Sequence, residues 1–118
     1  MKSDSLQHIL DSQKSFIKKW IDVDTLKLGS DEMQHEALYY IGHAMEELTE
    51  VRRQLPIRKL WKSQKDPVDM EKVLDEYSDV IHFVINLGLV LGVRTSDDLV
   101  KIYDRKHEVN LHRQATGY

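Results

Sequence analysis

Apolar residues recur at spacings of three and four along almost the whole chain, and only five glycines and two prolines interrupt 118 residues. No stretch alternates apolar and polar types long enough to form a strand, so the pattern is helical throughout. A first helix is expected from about Ser5 to Ile21, with Asp4 or Ser5 as cap and Leu6, Ile9, Leu10, Phe16, Ile17 and Trp20 near one face. A loop follows to Ser30. The second helix runs from about Asp31 to Gln54, carrying Met33, Ala37, Tyr40, Ile41, Ala44, Leu48 and Val51 at helical spacing until Pro56 ends it. The basic stretch from Leu55 to Lys65 reads as a connection. Asp66-Pro67-Val68-Asp69 reads as the start of a third helix, which continues to Gly92 and is apolar on most sides after Tyr77, so it belongs at the centre. Thr95-Ser96-Asp97-Asp98 resembles a capping box and opens a fourth helix reaching about Leu111. His112 to Tyr118 is polar and is expected to stay loose until a ligand orders it. The expected fold is all-α, an antiparallel bundle of about four helices forming a single domain over 1–118.

Composition narrows the chemistry. A 41 % apolar and 31 % charged balance supports a packed core, and the absence of cysteine removes disulfides, thiolate metal sites and cysteine nucleophiles. Any metal must then be held by oxygen or histidine. A formal charge of −3 does not suit a global nucleic-acid binder. The run from Phe83 to Val93 is too short to span a membrane and is interrupted by Asn86. The first residues lack the apolar core of a secretory leader, so a cytoplasmic protein is expected.

Two pairs of acids stand out. Glu47 and Glu50 are three residues apart on the second helix, and Glu47 lies about 60° from the stripe centred on Ala44, where it can face a neighbouring helix. Glu46 points nearly opposite, to solvent. On the third helix Glu76 and Asp79 repeat the spacing, with Lys72, Phe83 and Asn86 within about 80° of the same line. Carboxylates grouped in an apolar helix are costly unless a cation compensates them, and hard oxygen donors suit magnesium. The competing reading is a set of solvated acids paired with Arg52, Arg53 or Lys72. One such pair favours that reading, whereas two pairs on separate helices favour the metal.

These residues also carry a resemblance. Glu47-x-x-Glu50, 25 residues, then Glu76-x-x-Asp79 resembles the motif of the all-α nucleoside triphosphate pyrophosphatases, which include the dimeric dUTP pyrophosphatases and the MazG-like proteins. Asp79-Val80-Ile81-His82-Phe83 is similar to the dUTP branch's D-V-L-H-F, and Lys59-Leu60-Trp61 to its K-x-W. The segment from Lys106 to Tyr118 is similar to the ending K-N-x-x-N-x-x-R-Q-x-x-G-Y, with His107 where asparagine is usual. The resemblance implies magnesium-dependent hydrolysis of dUTP to dUMP and pyrophosphate by a homodimer, with manganese as a substitute ion. It implies that Glu47, Glu50, Glu76 and Asp79 bind metal and that Glu47 positions the attacking water. It further implies that Gln13 and Trp61 face the base, Phe83 and Asn110 the deoxyribose, and Lys106, Arg113 and Tyr118 the phosphates, with 112–118 as a substrate-ordered tail. The alternatives are a MazG-like or dCTP-type pyrophosphatase, a helical dimerisation module, and a single-strand nucleic-acid binder built on Trp61 among Arg58, Lys59, Lys62 and Lys65.

Overall fold

The computed structural model describes residues 4–64 and 66–117. Among them are four α-helices, α1 (Ser5–Ile17), α2 (Asp31–Arg53), α3 (Met70–Val90) and α4 (Ser96–Ala115), one 3-10 turn at Pro56–Arg58, and no strand. No helix among these residues is long and apolar enough to cross a membrane.

Each helix begins where a side chain satisfies an exposed backbone N–H. The Asp4 carboxylate accepts from the Gln7 amide at 3.1 Å. The Ser30 hydroxyl accepts from Met33 at 3.1 Å. At α4 the capping box is complete: the Thr95 hydroxyl accepts from the Asp98 amide at 3.0 Å, and the Asp98 carboxylate accepts from the Thr95 amide at 3.1 Å. These donors, with the Arg94 amide first among them, hold the Asp98 carboxyl below the usual carboxylate range.

Three boundaries differ from expectation. α1 stops at Ile17 instead of Ile21, because Ile21, Val23 and Leu26 all enter the core and the chain must turn to deliver them. An Asx turn at Asp22, whose carboxylate accepts from the Asp24 amide at 3.0 Å, takes over from the helix there. α3 is capped by Asp69, not Asp66: its carboxylate reaches the Lys72 amide and its carbonyl accepts from Val73, so Pro67 lies outside the helix. α4 continues to Ala115, four residues past the expected end, so 112–115 are helical. α3 itself ends one residue before Leu91, and Gly92 takes the left-handed conformation with φ +101°. A Cβ there would also meet Leu28 at 3.2 Å.

The long seam of the molecule joins α2 to α3, and α1 packs on α3, which makes α3 the central helix. Tyr40 and His43 face Phe83 while Glu47 faces Asp79, so α2 and α3 run antiparallel. Leu10 and Ile17 of α1, Val23 and Leu26 of the following loop, Ala37 and Tyr40 of α2, and Leu89 and Val90 of α3 form the core. Within it lie two buried amides, Gln13 and Asn86, joined by a 2.8 Å hydrogen bond from Gln13 Nε2 to Asn86 Oδ1. That bond cancels most of the cost of burying them. α4 touches only α1, and every described residue from Lys101 onward is exposed.

Candidate active site

One face of α2 carries Glu36, Tyr40, His43 and Glu47 in line, and one face of α3 carries Glu76, Asp79, Phe83 and Asn86. Packed antiparallel, the two faces make a seam that is acidic at one end and aromatic at the other. At the acidic end, oxygens of Glu47, Glu76 and Asp79 lie within 4.8 Å of one another. Glu47 and Glu76 are half-buried. Partial burial, reinforced by the charges of Asp79, Glu76, Glu50 and Glu46, pushes the Glu47 carboxyl above the usual carboxylate range. Three carboxylates at this spacing repel one another, and a small divalent cation is the group that would relieve them. Glu50 continues the same face of α2 and adds its charge to Glu47, but its Oε1 is bonded to Arg53 Nη1 at 2.5 Å.

Toward the other end, Phe83 is stacked on His43, with ring centroids 5.1 Å apart, and tilted against Tyr40 at 6.4 Å. Beyond it opens a cleft of about 610 Å³, walled by Phe16, Ile17 and Trp20 from the end of α1, by His35, Glu36, Tyr39 and Tyr40 from α2, and by Phe83 and Asn86 from α3. Burial, with the charge of Glu36, raises the Tyr40 hydroxyl to about 12, so it stays protonated near neutrality. Tyr40 and Glu47 are seven residues apart, so cleft and carboxylates are separated by roughly 10 Å along the helix.

The expected site residues therefore divide into groups. Glu47, Glu76 and Asp79 meet, and Phe83 lies between them and the cleft. Gln13 stands behind the cleft, holding the Asn86 side chain that lines it. Trp61 is highly exposed on the segment joining α2 to α3, and it is Trp20 that lines the cleft. Lys106, Asn110 and Arg113 are exposed on α4, a helix that makes no contact with α2 or α3. Tyr118 lies outside the described residues, as does Lys65 of the basic stretch.

Trp20, Tyr39, Tyr40 and His43 were not singled out in the sequence for a site role. A signal for three of them was present, since Tyr39, Tyr40 and His43 lie one to two turns before Glu47 on the same helix.

The family model described as dUTPase matches residues 5–96, about three quarters of the chain. The match takes in α1, α2 and α3 and ends where α4 begins. No curated protein and no solved structure matches the chain.

Proposed function

As the chain belongs to the dUTPase family and is thereby a nucleoside triphosphate pyrophosphatase that hydrolyses dUTP, we propose that it does so at the α2–α3 seam, with magnesium held by Glu47, Glu76 and Asp79. The observation that carries this reading is the meeting of those three carboxylates beside an aromatic cleft. Glu50 completes the set by leaving Arg53. Their ion pair is exposed, so releasing it costs about 1 kcal/mol or less. Bound there, magnesium, or manganese in its place, supplies the positive charge that offsets the triphosphate. Glu47 orients the attacking water and takes its proton.

In this reading the uracil enters the cleft and stacks among Phe16, Trp20 and Tyr39, with Trp20 in the place expected of Trp61. The Asn86 amide, fixed by Gln13, offers it a polar edge. Phe83 and Asn110 face the deoxyribose, and Lys106, Arg113 and Tyr118 hold the phosphates. The products are dUMP and pyrophosphate. The matched family is dUTPase, which favours dUTP over the substrates of a MazG-like or dCTP-type enzyme.

A homodimer is part of the proposal. Leu38, Ile41, Met45 and Leu48 form one exposed stripe on α2, and Leu74, Tyr77, Ile81 and Val84 form another on α3, each residue 38 to 65 % exposed. Two apolar stripes on adjacent helices are more than a soluble monomer commonly leaves uncovered. Work on the nucleotide pool suits the cytoplasm, and the net negative charge argues against a nucleic-acid partner.

The test is a panel of deoxynucleoside triphosphates assayed with magnesium and again with EDTA, scoring monophosphate and pyrophosphate. We expect dUTP to be preferred over dTTP, because a close-fitting cleft rejects the 5-methyl group, and we expect EDTA to abolish turnover. Equal rates on all canonical substrates would make the enzyme a general pyrophosphatase, and turnover insensitive to EDTA would remove the metal.

A further inference from the structure

We infer that His43 recognises the sugar of the nucleotide, its Nε2 accepting a hydrogen bond from the 3′-hydroxyl of the deoxyribose. The inference deepens the reading of the α2–α3 seam as the site of hydrolysis and rests on it. Along the seam face of α2, Tyr40 walls the cleft and Glu47 stands among the carboxylates, with His43 between them. At a helical rise of about 1.5 Å per residue, His43 is roughly 4.5 Å beyond Tyr40 and roughly 6 Å short of Glu47. A nucleotide with its base in the cleft and its phosphates at the carboxylates passes its sugar across that level.

The imidazole is held in a defined orientation. Its plane lies 18° from that of Phe83, with ring centroids 5.1 Å apart, and Tyr39 meets it at 61° and 4.4 Å. Rings packed on both sides leave it little room to tilt. Glu46 fixes the remaining freedom, with its Oε1 3.3 Å from Nδ1. A neutral imidazole has one donor nitrogen and one acceptor. With the Nδ1–H directed at a carboxylate, the acceptor is Nε2. No hydrogen bond to Nε2 forms among the described residues, and the side chain is 38 % exposed, so a substrate can reach it.

A lone pair at this level selects its partner by chemistry. Ionised phosphates carry acceptors only, and the base lies a turn away in the cleft. The deoxyribose hydroxyl is the donor that remains. Its other candidate acceptors nearby, the oxygens of Glu47, Glu76 and Asp79, are committed to magnesium in the seam reading. Phe83 then gives the sugar an apolar surface, and His43, stacked on that ring, gives it a polar one. Glu46→Gln would still offer an oxygen to the Nδ1–H, so the orientation of the imidazole does not require the Glu46 charge.

The test is a cycle that removes the imidazole from the enzyme and the hydroxyl from the substrate. The parent, His43→Phe and His43→Gln are each assayed with magnesium on dUTP and on 2′,3′-dideoxyuridine 5′-triphosphate, and kcat/KM is compared. His43→Phe keeps a ring against Phe83 and loses both nitrogens. Its preference for dUTP should fall about fivefold below the parent's, the size of one neutral hydrogen bond. His43→Gln, whose Oε1 can stand in for Nε2 as acceptor, should keep more of the preference. Because the preference is a ratio taken on one preparation, a partly folded variant still reports it.

A His43→Phe preference equal to the parent's, whether both substrates slow together or neither slows, would overturn the inference and leave His43 as packing. So would a His43→Gln preference as low as that of His43→Phe. Glu76→Gln is assayed beside them to separate the two levels of the account. A parent without dUTP turnover, or Glu76→Gln as fast as the parent, would overturn the seam reading itself and the inference with it. An active parent, a slow Glu76→Gln and an unchanged preference in His43→Phe would overturn the role of His43 alone.

Discussion

α1 and α4 begin in the same way and end in different surroundings. Both are capped by a side chain, Asp4 in one and Thr95 with Asp98 in the other. α1 buries Leu10, Gln13 and Ile17 against α3, whereas α4 has no buried residue. The difference shows that caps and periodicity decide whether a segment becomes a helix, while docking depends on an apolar face matched by a neighbour. α4 has the first without the second inside its own chain.

The sharpest way to break this comparison is to truncate one leucine on each helix. Leu10→Ala opens a cavity in the core and should cost about 2–5 kcal/mol, read from urea unfolding. Leu111→Ala removes an exposed side chain that lies away from the stripe begun by Leu99, Ile102 and Tyr103, and should stay within about 0.5 kcal/mol of the parent. Equal losses would mean that α4 is packed as firmly as α1.

A smaller effect contrasts the α2–α3 seam with the rest of the molecule. Glu47 binds its proton more tightly in the folded chain than its ordinary value of 4.5 allows, so folding is penalised once it ionises. That penalty is absent below the ordinary glutamate range and grows as pH rises through the raised value. Metal-free Glu47→Gln should therefore melt above the parent near neutrality, and the gap should close in acid. Asp24 and Asp98 work in the opposite sense: both are held below their ordinary values, so the stability they contribute is lost as pH falls through that lowered range. Taking the difference between variant and parent isolates Glu47. A gap that persists unchanged in acid would remove the electrostatic account, and magnesium should raise the parent's melting temperature toward that of the variant.

Much of this architecture was legible from residue spacing, because helix caps and three-and-four periodicity are local. Asp4 and Thr95 were readable as starts, and the spacings of Glu47 with Glu50 and of Glu76 with Asp79 placed acids on facing sides of two helices. What escaped depended on competition between near neighbours or on contacts across the fold. Asp66 and Asp69 both suit a cap, and only the backbone path chooses Asp69. Glu50 has the same spacing as Asp79, yet Arg53 three residues on draws it aside. Trp20 lies past the end of α1 and lines the cleft, which its spacing along the chain does not reveal; Trp61 was expected at the base on the resemblance of its K-x-W segment. The position of α4 depends on a surface that α4's own sequence does not contain.

The central claim is that the α2–α3 seam, and not the acidic surface in general, carries dUTP hydrolysis. The direct measurement is magnesium-supported turnover of dUTP by Glu76→Gln, Asp79→Asn and Glu46→Gln, the last an exposed acid one residue from Glu47 whose partner is His43 at 3.3 Å. Loss of groups that merely orient metal ligands commonly costs 10–100-fold, so loss of a ligand should cost about 100-fold or more. The account predicts that fall for Glu76→Gln and Asp79→Asn, with Glu46→Gln within about twofold of the parent, as for an ordinary surface change. Turnover by Glu76→Gln and Asp79→Asn within twofold of the parent would contradict it.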